Sequence, residues 1–133
     1  MSFDLYGLNP KNGIPKPDEP DWVTCSQNDK DAFIAWRENA ETDETKGTYL
    51  KIAHPEWFSI WKLIIEKHHE LLTDKEQDLI FFNDEQIINQ EKTTKIEKII
   101  TDLIKKNKID DDLIKSFKSF AEFCKYSGGF EKG

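Results

Sequence analysis

The stretch HPEWFSIWKLIIEKHHELL, residues 54–72, decides the fold that the sequence predicts. At 3.6 residues per turn, its apolar side chains fall on one face and its charged side chains mostly on the other. Pro55 stands where the first turn of a helix tolerates a residue without an N–H group. We therefore predict a long amphipathic helix that fills the middle of the core. Its apolar face carries Trp57, Ile60, Trp61, Ile64, Ile65, His68, Leu71 and Leu72.

Three more helices are predicted from capping residues that precede amphipathic runs. The first buries Ala32, Phe33, Trp36 and Ala40, and the last aligns apolar side chains from Leu113 to Cys124. After the central helix and before the helix predicted from residue 90, Thr73 and Glu76 have the spacing of a capping box, which predicts a short helix or turn. The predicted helices cover residues 27–39, residues 90–107 and a run that begins at Ile109 and Asp110 and stops at Gly128, with N-caps at Ser26 and Asn89.

These helices predict a mainly α fold, a single small helical-bundle domain over residues 1–133. Alternation in residues 1–8 indicates a short N-terminal strand, and residues 79–88 fit either a helix end or a small hairpin. Four prolines make residues 9–21 an irregular arm, and residues 41–48 are predicted to form a polar loop.

Composition limits the class of protein. A chain of 133 residues with 4 Trp and 9 Phe can bury one core without a metal or a disulfide. The net charge of −7 disfavours direct nucleic-acid binding and favours a partner with a basic surface. The N-terminus lacks the basic and apolar segments of a signal peptide, and no apolar run approaches the length of a membrane span. We expect a location in the bacterial cytoplasm.

No motif in the sequence names a reaction. Glu66 and His69 have a carboxylate–histidine spacing used in di-iron bundles, but the second copy that such a site requires is missing. His68 is expected to be buried and hydrogen-bonded, and Cys124 to lie in the core, where a thiol is not reactive. Residues 110–112 fit a helix N-terminus better than a calcium loop. We expect no metal, no cofactor and no enzymatic activity.

Two features leave alternatives open. Trp57 and Trp61, one turn apart, could form an exposed binding site, although bulk for the core is favoured. Leu63 lies off the apolar face of the same helix, which indicates a second contact to another segment or another chain.

Three patches of sequence, in this order along the chain, carry a resemblance. They are FDLYGL at residues 3–8, Tyr49 followed by Trp57 and Trp61, and FAEFCKYSGGFE at residues 120–131. Together they resemble a family of uncharacterised small proteins of bacteriophages and other mobile elements, and Asn83-Asp84 and the helix after Asn89 also fit it. Where that family has asparagines and an Arg-Pro pair, this chain has Ile52-Ala53 and Phe58-Ser59. The cysteine pairs of longer members are absent. The resemblance implies a mobile-element origin and no reaction.

These observations favour a small acidic inhibitor or modulator that binds a bacterial host protein. A mobile-element origin favours a defence nuclease such as a CRISPR effector, because an acidic surface suits the basic groove of such an enzyme. The candidate contact residues lie in the arm, in the acidic segment that follows the first helix, and on the central helix. They are Asp18, Glu19, Glu38, Glu41, Asp43, Glu44 and Leu63.

Two alternatives come from other classes of protein. A hydrolase or nucleotide-binding enzyme would use Asp4, Tyr6, His54 and the glycine turn at residues 128–129, provided that they share a pocket. A structural phage protein or a homodimer would associate through Leu63 and the tryptophans. The target, the interface and the oligomeric state stay open at this point, as does a functional role for the SGGFE ending.

Overall fold

The computed structural model describes residues 2–82 and 85–133, so Asn83 and Asp84 lie outside the described residues. In chain order the elements are β1, α1, β2, α2, a short 3-10 helix, α3, β3, α4, α5 and β4. The strands are Ser2–Gly7, Tyr49–Ala53, Gln86–Asn89 and Gly129–Lys132. The α-helices are Gln27–Thr42, His54–Lys67, Asp74–Phe81, Gln90–Lys105 and Asp111–Ser127.

The predicted helical bundle is wrong, because the four strands form one antiparallel sheet in the order β2-β1-β4-β3. The chain is mixed α/β. β1 pairs with β2 and β4, so the N-terminal strand and the C-terminal strand together form the middle of the sheet. The SGGFE ending, whose role the sequence leaves open, supplies most of β4. The sequence did not indicate this strand, because it is short and partly polar. Its partner β1 also lies at the other end of the chain.

Helices cover the two faces of the sheet unequally. Phe3 and Leu5 point into the main core, which they share with α2 to α5. Tyr6, on the opposite side of β1, packs in a second cluster with residues of α1. Neighbouring residues of a strand face opposite sides of a sheet. Among the described helices, only α1 contributes residues to the cluster on the second face.

The central helix fills the main core as predicted but is shorter. Trp57 and Trp61 are both fully buried, and the indole N–H of Trp57 donates to the carbonyl of Ile80 at 2.7 Å. α2 ends at Lys67, and a 3-10 turn over His69–Leu71 follows it. His68 therefore caps the helix with a side chain that is 40% exposed, so its predicted burial is wrong. The break ends the apolar face one turn early.

Three of the capping residues that the sequence indicated, Ser26, Thr73 and Asn89, make side-chain capping hydrogen bonds. Ser26 and Asn89 each accept a hydrogen bond from a backbone N–H in the first turn of the next helix. Thr73 and Glu76 form the predicted capping box, and Gly128 ends α5 in the left-handed region, with φ 67°. Local chemistry therefore sets the helix limits even where the global fold was mispredicted. Of the alternatives for residues 79–88, the helix end is present at Phe81 and a short strand is present as β3, but a hairpin within this range is wrong because β3 pairs with β4. Among the described residues no helix has the length and apolar character to cross a membrane.

Candidate partner-binding surface

α1 is held on the sheet by a small aromatic cluster. Its side chains Phe33, Trp36 and Ala40 bury against Tyr6, and Tyr49 packs beside them. The ring centroids of Tyr6 lie 5.8 Å from Trp36 and 5.5 Å from Tyr49. Only one narrow side of the helix is used in this way, so most of the helix surface faces outward.

A buried carboxylate adds a second anchor. The side chain of Glu131, in β4, is 3% exposed and lies between two cations. Arg37 of α1 donates to it at 2.5 Å, and the ammonium of Lys16 in the arm lies 3.2 Å from its other oxygen. Since a buried charge is costly unless it is paired, this cluster fixes both the arm and α1 against the sheet.

Two tyrosines form hydrogen bonds on the α1 side of the sheet, one to α1 and one between β2 and β1. The hydroxyl of Tyr6 donates to Glu41 at 2.7 Å, and that of Tyr49 donates to Asp4 at 2.5 Å. Burial, reinforced by the neighbouring carboxylates, raises the pKa of both tyrosines well above the ordinary value of 10.0. Both hydroxyls therefore stay protonated, and remain donors, at alkaline pH values where an ordinary tyrosine ionises.

Acidic residues dominate the segment that these anchors position. Between residues 17 and 45 there are nine carboxylates and two basic side chains, a net charge of −7 that equals the net charge of the whole chain. We call the carboxylates of this segment the acidic surface. Its members are Asp18, Glu19, Asp21, Asp29, Asp31, Glu38, Glu41, Asp43 and Glu44.

The predicted contact residues differ in whether their side chains already have partners within the chain. Asp18, Glu38 and Glu44 are exposed, and no hydrogen bond or ion pair is observed for their side chains among the described residues. Glu19 accepts a hydrogen bond from the indole of Trp22 at 3.1 Å. Asp43 accepts from the backbone N–H of Thr45 at 2.8 Å, and hydrogen bonds from Thr45 lower the pKa of its carboxyl group. Asp43 therefore shapes the loop, as Glu41 holds Tyr6.

Leu63 lies apart from all of these residues. It packs at the edge of the main core and lines a groove with Ile109, Leu113 and Phe117 at the start of α5. Its second contact is thus made at least in part within the chain. Because α2 and α1 lie on opposite faces of the sheet, Leu63 cannot share a contact patch with the acidic surface.

Sequence reasoning missed the apolar residues of the same surface. Ile14, Trp22, Val23 and Ile34 are 65%, 42%, 90% and 45% exposed. They lie in the arm, in α1 or in the segment between them, where exposed carboxylates also concentrate. The signal was available in the sequence, since Ile14 and Val23 are large apolar residues in polar surroundings.

The residues of the enzymatic alternative do not come together. Asp4 and Tyr6 face α1, whereas the ring of His54 stacks on Phe3, which belongs to the main core, with 4.1 Å between ring centroids. The glycine turn at residues 128–129 packs against Asn9 and Ile88. Among the described residues, no group of three or more His, Cys, Asp or Glu side chains has the arrangement of a metal site. Burial raises the pKa of the Cys124 thiol well above its ordinary value.

The arm, α1 and the segment between them thus carry both exposed carboxylates and exposed apolar side chains. Comparison of the chain with protein-family models, with curated proteins and with solved structures found no match.

Proposed function

We propose that this chain is a non-enzymatic protein that binds and modulates a bacterial host factor through the acidic surface. The supporting observation is the concentration of the chain's net charge in the arm and α1, beside exposed apolar side chains. A protein surface that combines large apolar residues with one sign of charge is typical of an interaction site.

The partner we propose is a nucleic-acid-handling defence enzyme, such as a CRISPR effector nuclease. Its basic groove attracts an acidic surface by electrostatic steering, which raises the association rate at low ionic strength. The resemblance to mobile-element proteins favours a defence enzyme over other proteins with basic surfaces.

The test measures DNA cleavage by purified CRISPR effector nucleases in the presence of this protein. We expect inhibition near stoichiometric amounts, and slower association as salt is added. The charge-reversed variant Glu38→Lys/Glu44→Lys should lose inhibition, since both carboxylates are exposed. Asp43 is left intact because its carboxylate shapes the loop.

The matched control is Glu66→Lys/Glu70→Lys. It changes the net charge by the same amount at exposed positions in and just after α2, on the other side of the sheet. We expect this control to inhibit as strongly as the unaltered protein. Equal inhibition by all three proteins would show that the acidic surface is not the contact, and a lack of inhibition and binding across the nucleases would contradict the proposed function.

A further inference from the structure

The acidic surface contains an apolar groove between the arm and α1. Ile14 and Thr48 form one side of the groove, and successive turns of α1 form the other. The helix contributes Ala32, Ala35, Trp36, Asn39 and Ala40, and Asp43 follows at its C-terminal cap. The small side chains of Ala32 and Ala35 leave the space open, and the largely buried Trp36 closes it underneath.

The groove has the size of a side-chain anchor. Its volume is about 250 Å³, below the range of roughly 300–1,000 Å³ in which pockets enclose drug-sized ligands. A partner's leucine, isoleucine or phenylalanine would bury apolar area there without requiring the groove to enclose a whole molecule. The exposed Ile14 would be covered at the same time.

Charge next to the groove selects the remainder of the ligand. A second hollow of about 370 Å³ adjoins the groove at Ala32, and it is lined by four carboxylates and no basic side chain. They belong to Asp18, Glu19, Asp21 and Asp29. Asp43 stands at the other end of the groove. A ligand whose apolar side chain enters the groove therefore meets negative charge on both sides.

We infer that the groove between the arm and α1 docks a basic segment of the partner protein, in which an apolar anchor side chain is flanked by lysine or arginine. This inference rests on the proposed function and specifies how the partner is recognised. The anchor supplies buried area, while the flanking cations supply charge complementarity with the hollow.

The test uses a fluorescein-labelled helical peptide with leucines on one face and lysines on the other. Fluorescence anisotropy measures its binding to the unaltered protein and to a groove-filled variant, Ala32→Gln/Ala35→Gln. Glutamine is a good helix former, so both substitutions should keep α1 intact while occupying the groove. We expect binding at least about tenfold weaker for the variant, which corresponds to about 1.4 kcal/mol.

Three controls decide what a loss of binding means. Thr94→Gln places glutamine at an exposed position of α4, away from the groove, and should bind the peptide normally. Asp18→Asn/Asp29→Asn neutralises part of the hollow and should weaken binding while reducing its dependence on salt. A peptide with serines in place of the leucines should bind weakly to the unaltered protein.

Several results would overturn the inference. They are equal binding to the groove-filled variant, equal binding of the serine peptide, or failure of the leucine peptide to bind the unaltered protein. A light-scattering mass of a dimer that falls to a monomer in the groove-filled variant would assign the groove to a second copy, and would also overturn it. The failures can be told apart, because a peptide result does not depend on any nuclease. Inhibition that survives filling of the groove would leave the proposed function standing and remove this inference.

Discussion

At the scale of single residues, Glu131 is a buried charged side chain on which stability is expected to depend. Its carboxylate is buried between Arg37 and Lys16 and links three separate parts of the chain. Removing one member of a buried ion pair leaves the others charged without a counter-ion. We expect Glu131→Gln to lower the free energy of unfolding by about 3 kcal/mol, measured by urea denaturation.

The control for Glu131→Gln is Glu91→Gln. Glu91 also forms an ion pair, with Lys95, but its side chain is 76% exposed. Exposed pairs of this kind contribute about 0.5 kcal/mol or less. Losses of equal size in the two variants would contradict the view that the buried carboxylate anchors the arm and α1.

The two tyrosines predict how stability depends on pH. Because the folded state raises the pKa of Tyr6 and Tyr49 above 10.0, it keeps their protons at alkaline pH, where the unfolded chain loses them. Stability therefore falls as the pH rises above about 10, since the unfolded state then binds fewer protons. We expect the double variant Tyr6→Phe/Tyr49→Phe to show a flatter decline between about pH 9 and 11.

Urea denaturation across this pH range measures the decline, and lysine titration is common to both proteins. At neutral pH the double variant should be less stable by about 1 kcal/mol for each hydrogen bond removed. Parallel declines in the two proteins would show that the tyrosines do not ionise preferentially in the unfolded state.

Gly47 occupies a position that only glycine can take without strain. Its φ is 84°, and a Cβ there would lie 2.4 Å from the carbonyl oxygen of Tyr126. We expect Gly47→Ala to cost about 3 kcal/mol or more, from the left-handed backbone together with the clash. Thermal unfolding checks this value, with Ala substituted at the exposed Lys46 as the control, for which a loss of under about 0.5 kcal/mol is expected. A loss at Gly47 no larger than this would contradict the close backbone contact.

At the scale of elements, helices were predictable from the sequence and the sheet largely was not. The caps of α1, α3 and α4 depend on residues three positions apart, so local chemistry specifies them. β3 and β4 have four residues each, too few for a clear alternating pattern. Their existence depends on pairing between distant segments, which periodicity within a short window does not reveal.

For the same reason, only part of the candidate site could be predicted from the sequence. The acidic residues near Glu38 are evident in the sequence, but the groove requires the arm to lie beside α1. The ion pair of Lys16 with Glu131 and backbone hydrogen bonds such as that from Lys11 to Tyr126 hold the arm there, and both join residues separated by most of the chain. Lys132, in β4, was equally hard to predict. Its ammonium group is buried and donates to the carbonyls of Leu79 and Phe82, although its polar side chain and its place near the end of the chain do not indicate burial.

The different attachment of the helices predicts different local stability. α1 buries three of its 16 residues, whereas α5 buries six of 17 and lies in the main core. Segments with few buried contacts open without global unfolding. We expect backbone amides of α1 to exchange with solvent at least about tenfold faster than those of α5, as measured by hydrogen–deuterium exchange with mass spectrometry. Equal protection of both helices would show that α1 unfolds only with the whole chain.

At the scale of the whole molecule, charge is distributed asymmetrically. Residues 17–45 carry a net charge of −7, whereas residues 90–125 carry nine basic and seven acidic side chains. An approaching ligand therefore meets a field that differs strongly from one side of the molecule to another. Net charge alone does not describe this field, since the acidic surface lies on the α1 side of the sheet and α4 and α5 lie on the other.

Anion-exchange chromatography tests this asymmetry without a partner. The variants Glu38→Lys/Glu44→Lys and Glu66→Lys/Glu70→Lys have the same net charge, so a uniformly charged particle would elute at the same salt concentration in both cases. We expect the Glu38→Lys/Glu44→Lys protein to elute earlier, because a resin binds through the most negative surface that the molecule presents. Thermal unfolding of both variants confirms that each is folded before the comparison is made. Coincident elution would show that the carboxylates of α1 do not dominate the field, and electrostatic steering toward a basic partner would then lose its physical basis.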